Sequence, residues 1–246
     1  MAKGIKIWTA DIKNIYVWTT PVKEVYVWTT KVRPTWWKPW ANTIAYYPFD
    51  DQSSTQITDA TWNWYNLTWW TMPSYSLVSW TNYAGNYNNY NSGTVQGHSF
   101  YSSLSSYTLL FWAKPINWSW NQFVTQLYDS WSYQTAIIYW YVSWKFELFA
   151  VSWSAQRVDI ATSVSTNTWY LLWYTKSWTT VTVYCNGTAW TSITYNSTPK
   201  NYLYLWWSNA WDRFHWMLDN VIIENKARAA QEISDYYNST KWNYGL

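Results

Sequence analysis

The sequence predicts an all-β chain: an antiparallel two-sheet sandwich closed by one short helix and preceded by a small N-terminal β-repeat. Three observations predict it. From Thr43 onward, short runs of alternating apolar and polar residues are broken by turn signals at roughly 8–12-residue intervals, as in sandwiches. The 246 residues are 49% hydrophobic and only 12% charged, enough to bury one sizeable core and unlike a coiled coil or a charged disordered chain. Only the stretch 226–237 reads as a helix.

The first element is a repeat. Ile5-Lys6-Ile7-Trp8-Thr9, Ile15-Tyr16-Val17-Trp18-Thr19 and Val25-Tyr26-Val27-Trp28-Thr29 recur with period ten, and Lys3, Lys13 and Lys23 keep the same register. Each unit joins a β-branched and aromatic run to a turn, so residues 1–33 read as strand, turn, strand. Such a sheet is marginal alone and is expected to dock on a partner. Residues 34–42, with Pro34 and Pro39, read as a linker. The sandwich domain is expected over 43–240, its clearest strands being Tyr107–Pro115, Gln134–Tyr139, Lys145–Val151, Arg157–Ala161, Trp169–Leu172, Val181–Cys185, Tyr202–Leu205 and Met217–Ile223.

A net charge of +3 with no cluster among the 16 Lys and Arg argues against nucleic acid as a partner. The lone Cys185 excludes an internal disulfide and reads as a small core residue. Neither a signal peptide nor a membrane span is read, and Asn186-Gly187-Thr188 has no secretory context that would make it a glycosylation site.

The composition holds one anomaly, 27 Trp against 6 Gly. Trp80, Trp118, Trp120, Trp131, Trp144, Trp153 and Trp178 each come after Ser or Asn between two apolar alternating runs, where hairpin turns ask for glycine. The pairs Trp36-Trp37, Trp69-Trp70 and Trp206-Trp207 read as Gly-Gly punctuation. The expectation is that most of these residues are glycines recorded as Trp through a reassigned UGA codon. UGA is read as Gly in some uncultivated bacteria and their phages. Trp112 and Trp169 are expected to be genuine core residues, with Trp153 and Trp211 open. A non-Gly residue in the left-handed region costs roughly 1–2 kcal/mol, so ten such turns would cost about as much as a whole domain's stability of about 5–15 kcal/mol. The rival reading is a set of sugar-stacking platforms, which leaves the missing glycines unexplained.

With Trp18 and Trp28 read as Gly, residues 15–34 resemble the short "IYVGTTPVKEVYVGTTKVRP" leaders of phage tail and other virion proteins. Further on, Ile44-Ala-Tyr-Tyr-Pro-Phe-Asp50, Leu109-Leu-Phe-Trp-Ala-Lys-Pro115, Val181-Thr-Val-Tyr-Cys-Asn-Gly187 and Met217-Leu-Asp-Asn-Val-Ile-Ile-Glu-Asn225 occur in order. Together with Ala229–Tyr237 they resemble a LamG-like domain of the concanavalin A-like lectin/glucanase superfamily. The resemblance implies a jelly roll, and it implies a structural Ca²⁺ held by Asp50, Asp51 and Asp219. The bland alternative leaves Asp50 and Asp51 in a solvated turn and Asp219 capping backbone amides. Trp216, just before Met217, stands where the family has Gly.

Catalytic chemistry finds little footing. Paired carboxylates for glycoside hydrolysis must converge on one sugar. Asp219 and Glu224, five apart, fall on opposite faces of a regular strand, and Glu147 and Asp159 have no acidic partner at i+2. His98 and His215 are too few for a His-based metal site. The polar aromatic stretch Tyr83–Gly93 offers ligand-binding candidates in Tyr83, Asn86, Tyr87, Asn88, Asn89 and Tyr90, since rings give stacking area and amides give donors and acceptors. The expected protein is therefore a non-catalytic binding or adhesion module for a glycan or surface receptor, located on a virion tail or fibre or at a cell surface. It would join other virion or surface proteins through its repeat and would not insert in membranes. A bacterial adhesin and, less favoured, a glycoside hydrolase of the same fold are the alternatives.

Overall fold

The computed structural model describes residues 16–17, 20–21, 25–27, 30–32, 40–50, 52, 56–61, 63, 65–68, 74–79, 82–88, 104–116, 122–130, 133–140, 145–152, 154–161, 163–196, 202–207 and 215–246. The strands are β1 (Tyr16–Val17), β2 (Thr20–Pro21), β3 (Val25–Val27), β4 (Thr30–Val32), β5 (Thr43–Tyr47), β6 (Gln56–Ile57), β7 (Leu67–Thr68), β8 (Ser74–Ser79), β9 (Asn82–Asn88) and β10 (Ser106–Pro115). They continue as β11 (Gln122–Ser130), β12 (Tyr133–Trp140), β13 (Lys145–Ser152), β14 (Ser154–Ala161), β15 (Tyr170–Ser177), β16 (Thr180–Cys185), β17 (Thr188–Thr194), β18 (Tyr202–Trp207) and β19 (His215–Glu224). Helix α1 (Ala230–Thr240) and a 3-10 turn (Lys241–Tyr244) end the chain.

The N-terminal repeat forms two separate hairpins, with Val17 opposite Thr20 and Val27 opposite Thr30. The first unit, around Trp8, lies outside the described residues. The domain is an antiparallel two-sheet jelly-roll sandwich. One sheet runs β17-β16-β15-β10-β19-β9-β8, with β5 also pairing β19, and the other runs β14-β13-β12-β11-β18.

The core lies between them. Leu109 and Phe111 of β10, Leu172 and Tyr174 of β15, Val181 and Val183 of β16 and Leu218 of β19 meet Phe146, Leu148 and Ala150 of β13. The alternate residues of the larger sheet, Leu110, Trp112, Leu171, Trp173 and Ile222, are buried too, in a second cluster with Ile233 and Tyr244. The C-terminal segment thus covers the outer face of this sheet. Burial on both faces explains why β10 reads as a continuous apolar run rather than an alternating one. Trp112 stacks on Tyr244 with ring centroids 3.9 Å apart.

The helix begins later than the sequence suggests. Thr108 Oγ1 donates to the Lys226 carbonyl at 2.6 Å and accepts the Arg228 amide at 3.0 Å, which pins this stretch to β10 until Ala230. Glu232 then accepts the Ala229 amide at 2.9 Å and satisfies one of the free donors of the first turn. Gly245 closes the segment at φ 74. At the other end of the domain the expected linker is already docked by residue 40: Thr43 donates to the Trp40 carbonyl at 3.1 Å and Asn225 to that of Asn42 at 3.2 Å.

Strand β19 carries a bulge. Its register against β10 shifts between Leu110 and Trp112, and Asn220 has φ 49. One extra residue reverses the inward-outward alternation, so Leu218 and then Val221 face the core.

Candidate functional site

The acidic residues of β19 show the effect of that bulge. Asp219 and Glu224 do not fall on opposite faces as a regular strand requires, because the bulge turns both toward the C-terminal segment. Asp219 Oδ2 accepts the Tyr244 hydroxyl at 2.6 Å. Glu224 accepts Arg228 Nη2 at 2.6 Å, and Arg228 Nη1 also reaches Glu232 at 2.7 Å. Burial pushes the Glu224 carboxyl up while Arg228 opposes it. Glu232, bonded first to Lys226 and then to the Ala229 amide and Arg228, is held down at about 2. These carboxylates serve to fasten the C-terminus.

Asp50 Oδ1 accepts the Tyr83 amide at 3.0 Å, and Asp51 lies outside the described residues. The two described members of the expected calcium set are thus each engaged by protein donors, and among the described residues no group of three His, Cys, Asp or Glu side chains is placed to hold a metal. Trp112 is fully buried and Trp169 is 6% exposed.

The predicted ligand-binding stretch begins in β9. Tyr83 pairs with Leu77 and Asn86 with Ser74, and the two candidates, three residues apart, lie on opposite faces of the sheet. Asn86 donates through Nδ2 to Ser76 Oγ at 2.9 Å. The backbones of Tyr87 and Asn88 pair with Trp216 and His215, while Asn89 and Tyr90 lie outside the described residues. The structure does not gather Tyr83 and Asn86 on one surface.

A different surface is assembled by register. Because Phe146, Leu148 and Ala150 face the core, Lys145, Glu147 and Phe149 face outward from the five-stranded sheet. Pairing aligns Arg157, Phe149, Ala136, Gln126 and Tyr204 in one row across all five strands. Ala155, Val151, Gln134, Tyr128 and Tyr202 form the next row. Glu147 and Asp159 are direct cross-strand partners, and Lys145 Nζ bridges them at 2.9 Å and 2.6 Å. Arg157 Nη1 lies 3.5 Å from Glu147, and its guanidinium sits 4.9 Å from the Phe149 ring centroid. The two carboxylates, led by Asp159, raise the Lys145 pKa and keep it charged. Spacing along one strand could not reveal this cluster. The complementary order Lys-x-Glu on β13 and Arg-x-Asp on β14 was its available signal.

The two sheets therefore differ outside the core. The outer face of the larger one is sealed by α1 and the 3-10 turn, whereas no helix of the described residues packs on the five-stranded one.

No family model matches the chain, and no curated relative does. Solved structures do. The binding domain of Paraclostridial Mosquitocidal Protein 1 is similar at 16% identity and TM-score 0.65, over 80% of this chain and 52% of that one. Domain 4 of AbnA, a GH43 extracellular arabinanase from Geobacillus stearothermophilus, in complex with arabinotriose, is similar at 17% identity and TM-score 0.64, over 79% of this chain and 97% of that one. The Botulinum neurotoxin serotype G binding domain is similar at 12% identity and TM-score 0.62, over 81% and 51%. The chain spans about half the length of the toxin binding domains and nearly all of the arabinanase domain. These likenesses show the fold, a β-sandwich shared with toxin binding domains and with an arabinotriose-bound domain.

Proposed function

We propose that this chain is a non-catalytic binding module that takes a glycan on the outer face of its five-stranded sheet, as part of a virion tail or fibre. The observation that carries the reading is the difference between the two sheets: among the described residues no helix packs on the five-stranded one, and its strand register sets Tyr204, Tyr202 and Tyr128 in rows with Gln126 and Gln134. Aromatic and amide residues in rows suit sugar rings and their hydroxyls. The arabinotriose-bound domain of the arabinanase, matched over nearly its whole length, supports a saccharide as ligand. The engagement of Glu147, Asp159, Asp219 and Glu224 by Lys, Arg or Tyr supports binding without hydrolysis. Virion placement rests on the resemblance of residues 15–34 to virion leaders and on the hairpins formed there. A glycan array with the intact chain tests the face. Signal lost in a Tyr202→Ala, Tyr204→Ala double variant of unchanged Tm is expected, and signal that survives would overturn it.

We also propose that most of the tryptophans stand for glycine in the natural protein. Trp178 opens the two-residue turn between Ser177 and Thr180 with φ 52, and its side chain is 72% exposed. A two-residue hairpin turn with positive φ at its first residue alone is the type II′ turn, whose first position is glycine. The next hairpin uses Asn186-Gly187, at φ 48 and 85, as the type I′ turn requires. Four further hairpins pair Val17 with Thr20, Val27 with Thr30, Ser79 with Asn82 and Ser130 with Tyr133. The intervening residues are Trp18-Thr19, Trp28-Thr29, Trp80-Thr81 and Trp131-Ser132, the same Trp-Thr or Trp-Ser pattern. Trp190 is the unpaired residue where the β16–β17 register shifts, another position that favours glycine. Trp173 and Trp216 are fully buried, and turn geometry makes no case at either. Sequencing the locus decides. UGA codons at Trp18, Trp28, Trp80 and Trp178, beside tail genes, are expected, and UGG there would overturn the recoding.

A further inference from the structure

We infer that the ligand of the five-stranded face is a neutral glycan laid across the strands, with Arg157 and Asp159 together reading a pair of its hydroxyls. The inference rests on the binding reading above and narrows its chemical class.

Among the described side chains of this face the charges lie at one corner and cancel there. Lys145 lies between Glu147 and Asp159, and Arg157 lies beside Glu147, so two cations meet two anions. Such a quartet has no net field to concentrate an anionic sugar. Burial then sorts the four. Glu147 is 8% and Lys145 22% exposed, whereas Arg157 and Asp159 are 42% and 45% exposed. A ligand therefore meets one guanidinium and one carboxylate, two positions apart on β14 and about 7 Å along the strand. A guanidinium only donates and a carboxylate only accepts, so the pair matches hydroxyls, which do both. A uronate or sulfate would gain the first and be repelled by the second.

Arg157 is also held in advance. Its guanidinium rests over Phe149 and against Glu147, which lowers the ordering cost of a long side chain on binding. From that corner the rows continue through Ala136, Gln126 and Tyr204 and through Gln134, Tyr128 and Tyr202, with no Lys, Arg, Asp or Glu among them. Five strands spaced about 4.8 Å apart give a track of roughly 19 Å, room for a short run of sugar units lying perpendicular to the strands.

Affinity electrophoresis of the intact protein in gels containing a neutral glucan, arabinan or mannan, or a uronate- or sialic acid-bearing polysaccharide, tests this. Retention by a neutral polysaccharide is expected, changing less than about twofold between about 0.01 and about 1 M salt, where the Debye length falls from about 30 to about 3 Å. Arg157→Ala and Asp159→Asn should each weaken it about tenfold with Tm unchanged. Retention only by acidic polysaccharides or a steep loss with salt would overturn the neutral class, and full retention by both variants would overturn the reading of hydroxyls by Arg157 and Asp159, in each case leaving glycan binding intact. Retention by none of the polysaccharides would overturn the binding reading itself.

Discussion

Tyr244, two residues from the C-terminus, donates its hydroxyl to Asp219 Oδ2 across 2.6 Å and so ties the chain end to the bulge of β19. Asn220 donates to the same hydroxyl oxygen at 2.6 Å and accepts from the Tyr46 hydroxyl, which extends the tie to β5. Removing the hydroxyl takes a donor from a buried carboxylate, so Tyr244→Phe should cost about 1–3 kcal/mol in urea unfolding. Tyr244→Ala should cost more, because the ring stacked on Trp112 goes as well.

The same tyrosine sets an alkaline limit. Burial, then the Asp219 charge, raises the Tyr244 pKa well above 10, and burial does the same to Tyr47. In the unfolded chain both ionise near pH 10 while the folded chain keeps their protons. The stability they contribute is therefore complete below about pH 10 and falls as pH rises beyond it. A urea midpoint constant from pH 8 to about 9.5 and dropping above 10 is expected, with a shallower drop in Tyr244→Phe.

Glu232 acts at the opposite end of the scale. Its carboxyl is held at about 2 by Lys226, the Ala229 amide and Arg228. A depressed carboxylate stabilises above its unfolded pKa, about 4.3, and loses that contribution as pH falls through the folded value. Glu232→Gln should be less stable than the parent chain at pH 7, and the two should converge near pH 2 in thermal melts.

Trp178→Gly should stabilise the chain by about 1–2 kcal/mol, or roughly 2–8 °C in Tm, by releasing a bulky residue from positive φ. Trp178→Ala should not match that gain, since alanine meets the same backbone strain. Equal gains in both variants would trace the effect to the exposed indole instead.

A chelator should leave Tm unchanged. Asp50 and Asp219 already accept bonds from Tyr83 and Tyr244, so no calcium is needed to hold them.

Most of the fold was legible because alternation and turn residues are local properties. The runs at 107–115, 145–151 and 181–185 became β10, β13 and β16 with little change of limits. The helix start was displaced because Thr108, more than a hundred residues away in sequence, holds the Lys226 carbonyl and the Arg228 amide. The sites were harder to read. A bulge at Asn220 reversed the parity on which the Asp219 and Glu224 argument depended. The quartet of Lys145, Glu147, Arg157 and Asp159 exists only once two strands are set in register. The stretch at Tyr83 was chosen for composition, and composition does not record that neighbours three apart on a strand look in opposite directions.

The backbone bonds at Trp40 and Asn42 bring the chain into the domain beside Asn225, where the C-terminal segment begins. That segment covers the outer face of the larger sheet, so a copy held through residue 40 would be held from that side and would turn its five-stranded sheet away from the support. A row of such copies on a common support would present every five-stranded sheet outward, leaving those faces clear of the support.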